Sequence, residues 1–267
     1  MSIRVTLAGA TGKVGKALAI AIAKAKDLEL SGAVARSSAG QDLASIIGTG
    51  ASITIAETLA EALDTPSDVL VDYTKPQAVK AHVLAALAAG RHVVIGTSGL
   101  SADDFDEIDR SAELHGRGVI AAGNFSITAT LLRRFALEAA RYVPDVEIID
   151  YAPGSKSDVP SGTARELAEF LAPVRGAATA LPVRGLSGLP ATRGASIGTP
   201  EPVQVHSLRM PSYALSCEVI FGADNERLTL RHDAGSAPTP YVAGTLLAIR
   251  KVAGFVGLRR GLDSILD

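Results

Sequence analysis

Three glycines near the N-terminus, Gly9, Gly12 and Gly15, stand at the spacing G-x-x-G-x-x-G. They lie between an apolar run (Ile3, Val5, Leu7) and an Ala/Leu/Ile-rich stretch from Lys16 to Ala25. A strand, tight turn and helix of this kind cradles a pyrophosphate. Gly9 permits the turn, Gly12 lets the backbone approach the phosphates, and Gly15 lets the helix pack against the strand. The helix start then aims N–H groups and the positive end of its dipole at the anion. A second anion-seeking segment lies far down the chain, between Gly154 and Ala164. There Ser161 reads as the N-cap of a helix over 164–171, so Gly162 and Thr163 offer N–H groups to a carboxylate or phosphate. Lys156 lies one loop away; taken alone it reads as a solvated loop lysine.

These residues need a scaffold, and the first half of the chain supplies one by alternating strand and helix. A second strand is expected over 28–34. Beyond it, Arg36-Ser37-Ser38 occupies the place where a dinucleotide fold inspects the adenosine ribose. A cation with hydroxyls there suits the 2′-phosphate of NADPH, whereas a carboxylate would suit NADH. Further strands are expected over 69–72, 92–95 and 119–122, with helices over 77–89 and 102–115. The strand ends deliver three small polar loops, at Asp72-Tyr73-Thr74-Lys75-Pro76, Gly96-Thr97-Ser98-Gly99 and Gly123-Asn124-Phe125-Ser126. In an open parallel sheet that edge is where ligands bind. A helix over 129–142 should bury Leu132, Phe135, Ala136 and Ala139. After Pro144 the pattern changes. Strands over 146–151, 203–210, 215–221 and 227–232 mostly lack intervening helices, which predicts an antiparallel or mixed sheet. The Gly/Pro/Arg-rich stretch 181–202 reads as a long loop serving as a lid or subunit contact. A helix over 241–252, apolar on most faces, should pack back on the first domain.

Composition narrows the partners. The 267 residues are 47% hydrophobic and 20% charged with a net charge of −2, values that give no basic footprint for nucleic acid and no polybasic membrane signal. No apolar run approaches the roughly 20 residues of a membrane span. The sequence enters a strand at Ile3 without a signal-peptide pattern, so a cytoplasmic protein is expected. The lone Cys217 reads as a small buried residue, and the five histidines show no metal-ligand spacing, so no metal is expected. There is no G-x-S-x-G elbow, no Walker G-K-[ST] and no tryptophan for a stacking platform. A cofactor should therefore carry the hard chemistry.

Taken in order, these pieces resemble the dihydrodipicolinate reductase family, NAD(P)H-dependent enzymes of bacterial lysine and diaminopimelate synthesis. The resemblance runs through the Gly9–Gly15 loop, Asp72-Tyr73-Thr74-Lys75-Pro76 (family D-F-T-x-P) and Gly96-Thr97-Ser98-Gly99 (G-T-T-G). It continues through Asn124-Phe125-Ser126 and through Lys156 to Ala164 (K-x-D-A-P-S-G-T-A), the most specific piece. Glu218 to Gly222 and Leu230 to Asp233 complete it. The family implies an α/β chain: a Rossmann domain over 1–126 completed by a C-terminal helix over 241–267. The α+β domain over 127–240, with a mixed or antiparallel sheet, would bind substrate, close over the cofactor and build a homotetramer. By matching positions, Gly9, Ala10, Thr11, Gly12, Lys13, Val14 and Arg36 hold the dinucleotide, together with Gly96, Thr97, Ser98, Ala122, Gly123, Asn124 and Phe125. The cofactor is expected to be NADPH, with NADH as the alternative donor. Ser161, Gly162 and Thr163 would bind a substrate carboxylate, and Lys156 would bind substrate and assist proton donation.

Departures from the family fall on the substrate side. The family's E-x-H-H strand end is here Asp150-Tyr151-Ala152-Pro153, so both imidazoles are missing. Ser216-Cys217 replaces a further histidine, and Ala234 to Pro238 has lost an acid and an arginine. Ala and Pro cannot transfer a proton or grip a carboxylate. The expected reaction is hydride transfer to a cyclic imine or conjugated imine carboxylate. The missing imidazoles favour a relative of 4-hydroxy-tetrahydrodipicolinate over that dicarboxylate itself. Tyr151 or Asp150 stands in line as a substitute acid. The alternatives are an NADPH-binding paralogue without reductase activity and an epimerase-like enzyme; against the latter, the sequence lacks the Y-x-x-x-K motif.

Overall fold

The computed structural model describes residues 2–156, 159–179 and 194–266. The chain forms two compact units, Met1–Ile127 with Pro238–Asp267, and Thr128–Ala237. Ser157, Asp158 and most of the expected lid, 181–193, lie outside the described residues.

The first unit is a six-stranded parallel sheet. Its strands are β1 (Ile3–Ala8), β2 (Leu28–Val34), β3 (Val69–Asp72), β4 (His92–Ile95), β5 (Gly118–Ala121) and β11 (Gly257–Arg260), in the spatial order β11-β5-β4-β3-β1-β2. β3 and β5 are buried at every position, as expected of near-continuous apolar runs covered on both faces. On one face, Leu18, Ala19 and Ile22 of α1 (Lys13–Lys24) and Ala248 and Ile249 of α8 (Thr239–Lys251) pack with Val5, Leu7, Val71, Val94 and Ile120. On the other, α4 (Pro76–Ala88) and α5 (Ala102–Leu114) bury Val79, Val83, Leu87 and Ile108 against Leu70, Val93, Ile95 and Val119. Two one-turn helices, α2 (Leu43–Ile47) and α3 (Leu59–Leu63), fill the β2–β3 connection. This is the expected Rossmann architecture.

One expectation is corrected here. The segment 241–267 is not a single helix: α8 ends at Lys251 and the chain returns as β11 beside β5. Gly257 at φ +90° cannot continue a helix, and the exposed Arg259 and Arg260 disguise the strand in the sequence.

His92, opening β4, accepts the Gly118 N–H at Nδ1 (2.9 Å), a bond that requires the neutral ring. Burial, aided by Arg117, holds its pKa below the usual histidine value. A depressed folded pKa gives stability that is complete above the unfolded value of about 6.5 and is lost as pH falls through the folded one. His92→Gln, which keeps an acceptor but does not titrate, is expected to lose less stability than wild type in denaturant titrations below pH of about 6.5. An unchanged difference between the two proteins across that range would contradict the assignment.

The second unit is a mixed sheet in the order β10-β9-β6-β8-β7. Its strands are β6 (Asp145–Ala152), β7 (Gly194–Ile197), β8 (Val203–Arg209), β9 (Leu215–Ala223) and β10 (Glu226–Ala234), with only β6 and β8 parallel. α6 (Ile127–Ala140) and α7 (Gly162–Leu171) cover one face. There Leu132, Ala136, Leu167 and Leu171 pack on Ile148, Val205, Val219 and Phe221. Phe135, expected on that buried face, is 54% exposed; the inward positions are Leu132, Ala136 and Ala140. Residues 194–197, expected within the long loop, pair with β8 instead.

Candidate functional site

In the first unit the glycine loop is shaped by two close approaches. Gly9 adopts φ +82°, and a Cβ there would lie 2.2 Å from the Tyr73 carbonyl oxygen. A Cβ on Gly15 would lie 2.1 Å from the Gly9 carbonyl oxygen. Gly12 is exposed and extended, and its N–H donates to Gly9 O (3.0 Å). No side chain caps α1, so the N–H groups of Val14 and Gly15 keep their capacity for an anion. Ala10 is buried and donates its N–H to Val34 O, Thr11 and Val14 are half-buried, and Lys13 is exposed. Tightly apposed backbone under an uncapped helix start fits a dinucleotide pyrophosphate.

Beyond β2, Arg36 and Ser37 stand exposed on a single 3-10 turn, with no ion pair to Arg36 among the described residues. That setting suits a phosphate.

On the other side of β1, the loops after β3, β4 and β5 meet around Tyr73. Its ring leaves no space for a side chain at Gly96, where a Cβ would approach within 2.2 Å. It also packs against buried Phe125 (centroids 6.1 Å apart) and shares a hydrogen bond with Thr245 Oγ1 of α8 (2.7 Å). Phe125 and Ala122 are buried, Asn124 accepts the Ser126 N–H (2.8 Å), and Gly123 and Ser98 are exposed. Phe125 and Thr97 can thus offer a ligand mainly backbone. The Thr97 hydroxyl donates to Asp72 Oδ1 (2.6 Å) and accepts the Thr74 N–H (2.7 Å).

Asp72, quoted in the sequence as part of a motif but given no role of its own, is fully buried at the end of β3. Besides Thr97, Oδ1 accepts from Thr74 N (3.0 Å) and Thr74 Oγ1 (2.8 Å), while Oδ2 accepts from His82 Nδ1 (2.8 Å). Burial would raise this carboxyl, but the bonds from His82, Thr97 and Thr74 together hold it below the usual carboxylate range. The available signal was an acid closing the otherwise apolar run Val69-Leu70-Val71, because a buried carboxylate needs partners.

In the second unit, Ser161 caps α7 by accepting the Ala164 N–H (3.3 Å). Gly162 and Thr163 are exposed at the helix start, and a Cβ on Gly162 would meet open space. Lys156 is half-buried on the loop after β6, its N–H donating to Pro153 O (3.0 Å). Asp150 accepts both the Ser161 N–H and its hydroxyl (2.7 Å each) and pairs with Arg209 (2.8 Å), each of the two ion-pair side chains 5% exposed or less. The oxygens of Asp150, one of the two candidate substitute acids, are thus engaged in anchoring the helix start. Tyr151, the other candidate, points elsewhere. Strand alternation turns it to the face away from α6 and α7, where its hydroxyl donates to Glu218 (3.3 Å) and its ring stacks near Tyr213 and Arg231. Cys217 is buried, which, with the charges of Asp150 and Glu218, pushes its thiol up to about 12, as expected of an inert packing residue.

Among the described residues no group of three or more His, Cys, Asp or Glu could hold a metal, and no helix is long and apolar enough to cross a membrane. Comparison with known proteins gives a consistent result. Two family models match: "Dihydrodipicolinate reductase, N-terminus" over residues 3–125 and "Dihydrodipicolinate reductase, C-terminus" over 128–262. The 4-hydroxy-tetrahydrodipicolinate reductase of Synechococcus elongatus is 40% identical, covering 99% of this chain and 98% of its own. That of Desulfitobacterium hafniense is 37% identical, covering 99% of each. Among solved structures, a dipicolinate-bound dihydrodipicolinate reductase from Paenisporosarcina sp. TG-14 superposes with a TM-score of 0.83 at 32% identity over the full length of both chains.

Proposed function

Since the chain belongs to the dihydrodipicolinate reductase family, we propose that this NAD(P)H-dependent reductase acts on a conjugated cyclic imine carboxylate with NADPH as its preferred donor. The first substrate in line is 4-hydroxy-tetrahydrodipicolinate, the compound in the names of its relatives. The observation that carries this reading is the pairing of two built anion sites: an uncapped α1 over apposed glycines, and the α7 start anchored by Asp150.

In this reading Gly9 to Val14 hold the pyrophosphate, Arg36 the adenosine 2′-phosphate, and the backbone of Gly96 to Ser98 and Ala122 to Phe125 the nicotinamide half. Bound NADPH supplies the hydride. The N–H groups of Gly162 and Thr163 grip a substrate carboxylate, and Asp150 fixes Ser161 so that they face outward. The Lys156 ammonium gives a proton to the substrate and regains one from solvent. The middle unit binds substrate and assembles a cytoplasmic homotetramer through the open sheet face that carries Tyr151, Glu218 and Arg231.

A related imine with one carboxylate is the second reading, favoured by Ala152, which is fully buried, and Pro153, neither of which replaces the family's imidazoles. The test is NADPH oxidation with freshly generated 4-hydroxy-tetrahydrodipicolinate beside monocarboxylate cyclic imines. Rapid turnover of the dicarboxylate supports the first reading and turnover of a monocarboxylate alone the second. Tight NADPH binding without any turnover would leave a binding paralogue. In the same assay Arg36→Ala should lower the preference for NADPH over NADH roughly 10- to 150-fold, the range for losing one charged hydrogen bond. An unchanged preference would remove Arg36 from the cofactor site.

A further inference from the structure

The turn leaving β3 touches every loop assigned above to the nicotinamide half. The Tyr73 ring bears on Gly96 and packs against Phe125, while Asp72 bonds Thr97 across 25 positions of sequence. Asp72 is buried and charged, so its bonds strengthen in low dielectric. It meets the two loops through one oxygen, Oδ1, and is backed by His82 of α4 on the other, Oδ2. The Thr97 hydroxyl is shared between Asp72 and the Thr74 N–H, which ties the backbone after β4 to the backbone after β3. Among the described residues no side-chain hydrogen bond reaches Arg36.

We propose that Asp72, backed by His82, is the positioning residue for the nicotinamide half of the cofactor: it sets the Gly96–Ser98 backbone through the Thr97 hydroxyl. This rests on the assignment of that loop to the cofactor. Asp72 touches no reacting atom in this account. It fixes the loop that does, much as a buried acid orients a catalytic imidazole.

The test uses Asp72→Asn, Thr97→Val and Thr97→Ser, with two probes: NADPH, and 2′-phospho-ADP-ribose, which lacks the nicotinamide. Asp72→Asn and Thr97→Val should weaken NADPH binding roughly 10- to 150-fold and shift the fluorescence of the bound dihydronicotinamide. The fragment should bind as in wild type, and Thr97→Ser should restore NADPH binding. Should Asp72→Asn fail to fold, the Thr97 pair decides alone. Equal weakening of both probes, or wild-type affinity and emission in Thr97→Val, overturns the proposal. Wild-type protein that binds neither probe would instead overturn the cofactor assignment on which it rests.

Discussion

Lys156→Ala is expected to lower kcat about 100- to 10,000-fold, the usual contribution of a positioned proton donor. The dissociation constant for NADPH should stay unchanged, because Lys156 is assigned to the substrate and not to the cofactor. Neither Asp150 nor Tyr151 is placed to take over its role. Asp150 is occupied by Ser161 and Arg209, and Tyr151 faces the opposite side of the sheet. Steady-state kinetics separate the two roles assigned to Lys156. A fall confined to kcat marks proton delivery, a rise confined to KM marks carboxylate binding, and full turnover would show that neither role is its own.

Asp150→Ala should be the most destabilising single change in the second unit. It removes the Asp150 carboxylate from the buried Arg209 guanidinium and two 2.7 Å bonds from Ser161. Breaking a buried pair on one side typically costs about 3–5 kcal/mol. Asp150→Asn, which keeps the shape, should cost less stability yet still raise the substrate KM, since the amide cannot accept all of these bonds. Denaturant titration of both variants checks the first statement, and KM for the imine checks the second. Wild-type stability in Asp150→Ala would contradict the anchoring role given to this carboxylate.

Much of this was legible before any coordinates. Gly9 and Gly15 announced a strand–turn–helix because only glycine tolerates the contacts found there. The apolar runs of β3, β4 and β5 announced a parallel sheet because both of its faces are covered. The start of α7 was readable from Ser161 because capping is a local rule. What stayed hidden was either non-local or disguised. The bonds of Asp72 to Thr97 and of Asp150 to Arg209 join residues 25 and 59 positions apart, and no periodicity records them. β11 carries two exposed arginines, and β7 lies in a stretch whose glycines and prolines read as loop. Phe135 fits the helical period of its neighbours and still faces outward, since period alone cannot fix the edge of a buried stripe.

The central claim is that this chain moves a hydride from its dinucleotide to an imine carboxylate. The most direct measurement is a single turnover with NADPH deuterated at the transferring carbon and freshly generated 4-hydroxy-tetrahydrodipicolinate, followed by mass analysis of the product. The account predicts one deuterium on a ring carbon of the reduced product, and the same labelling at a much lower rate in Lys156→Ala. Oxidation of the cofactor without label in the product, or bound NADPH that stays reduced beside every imine carboxylate offered, would contradict it.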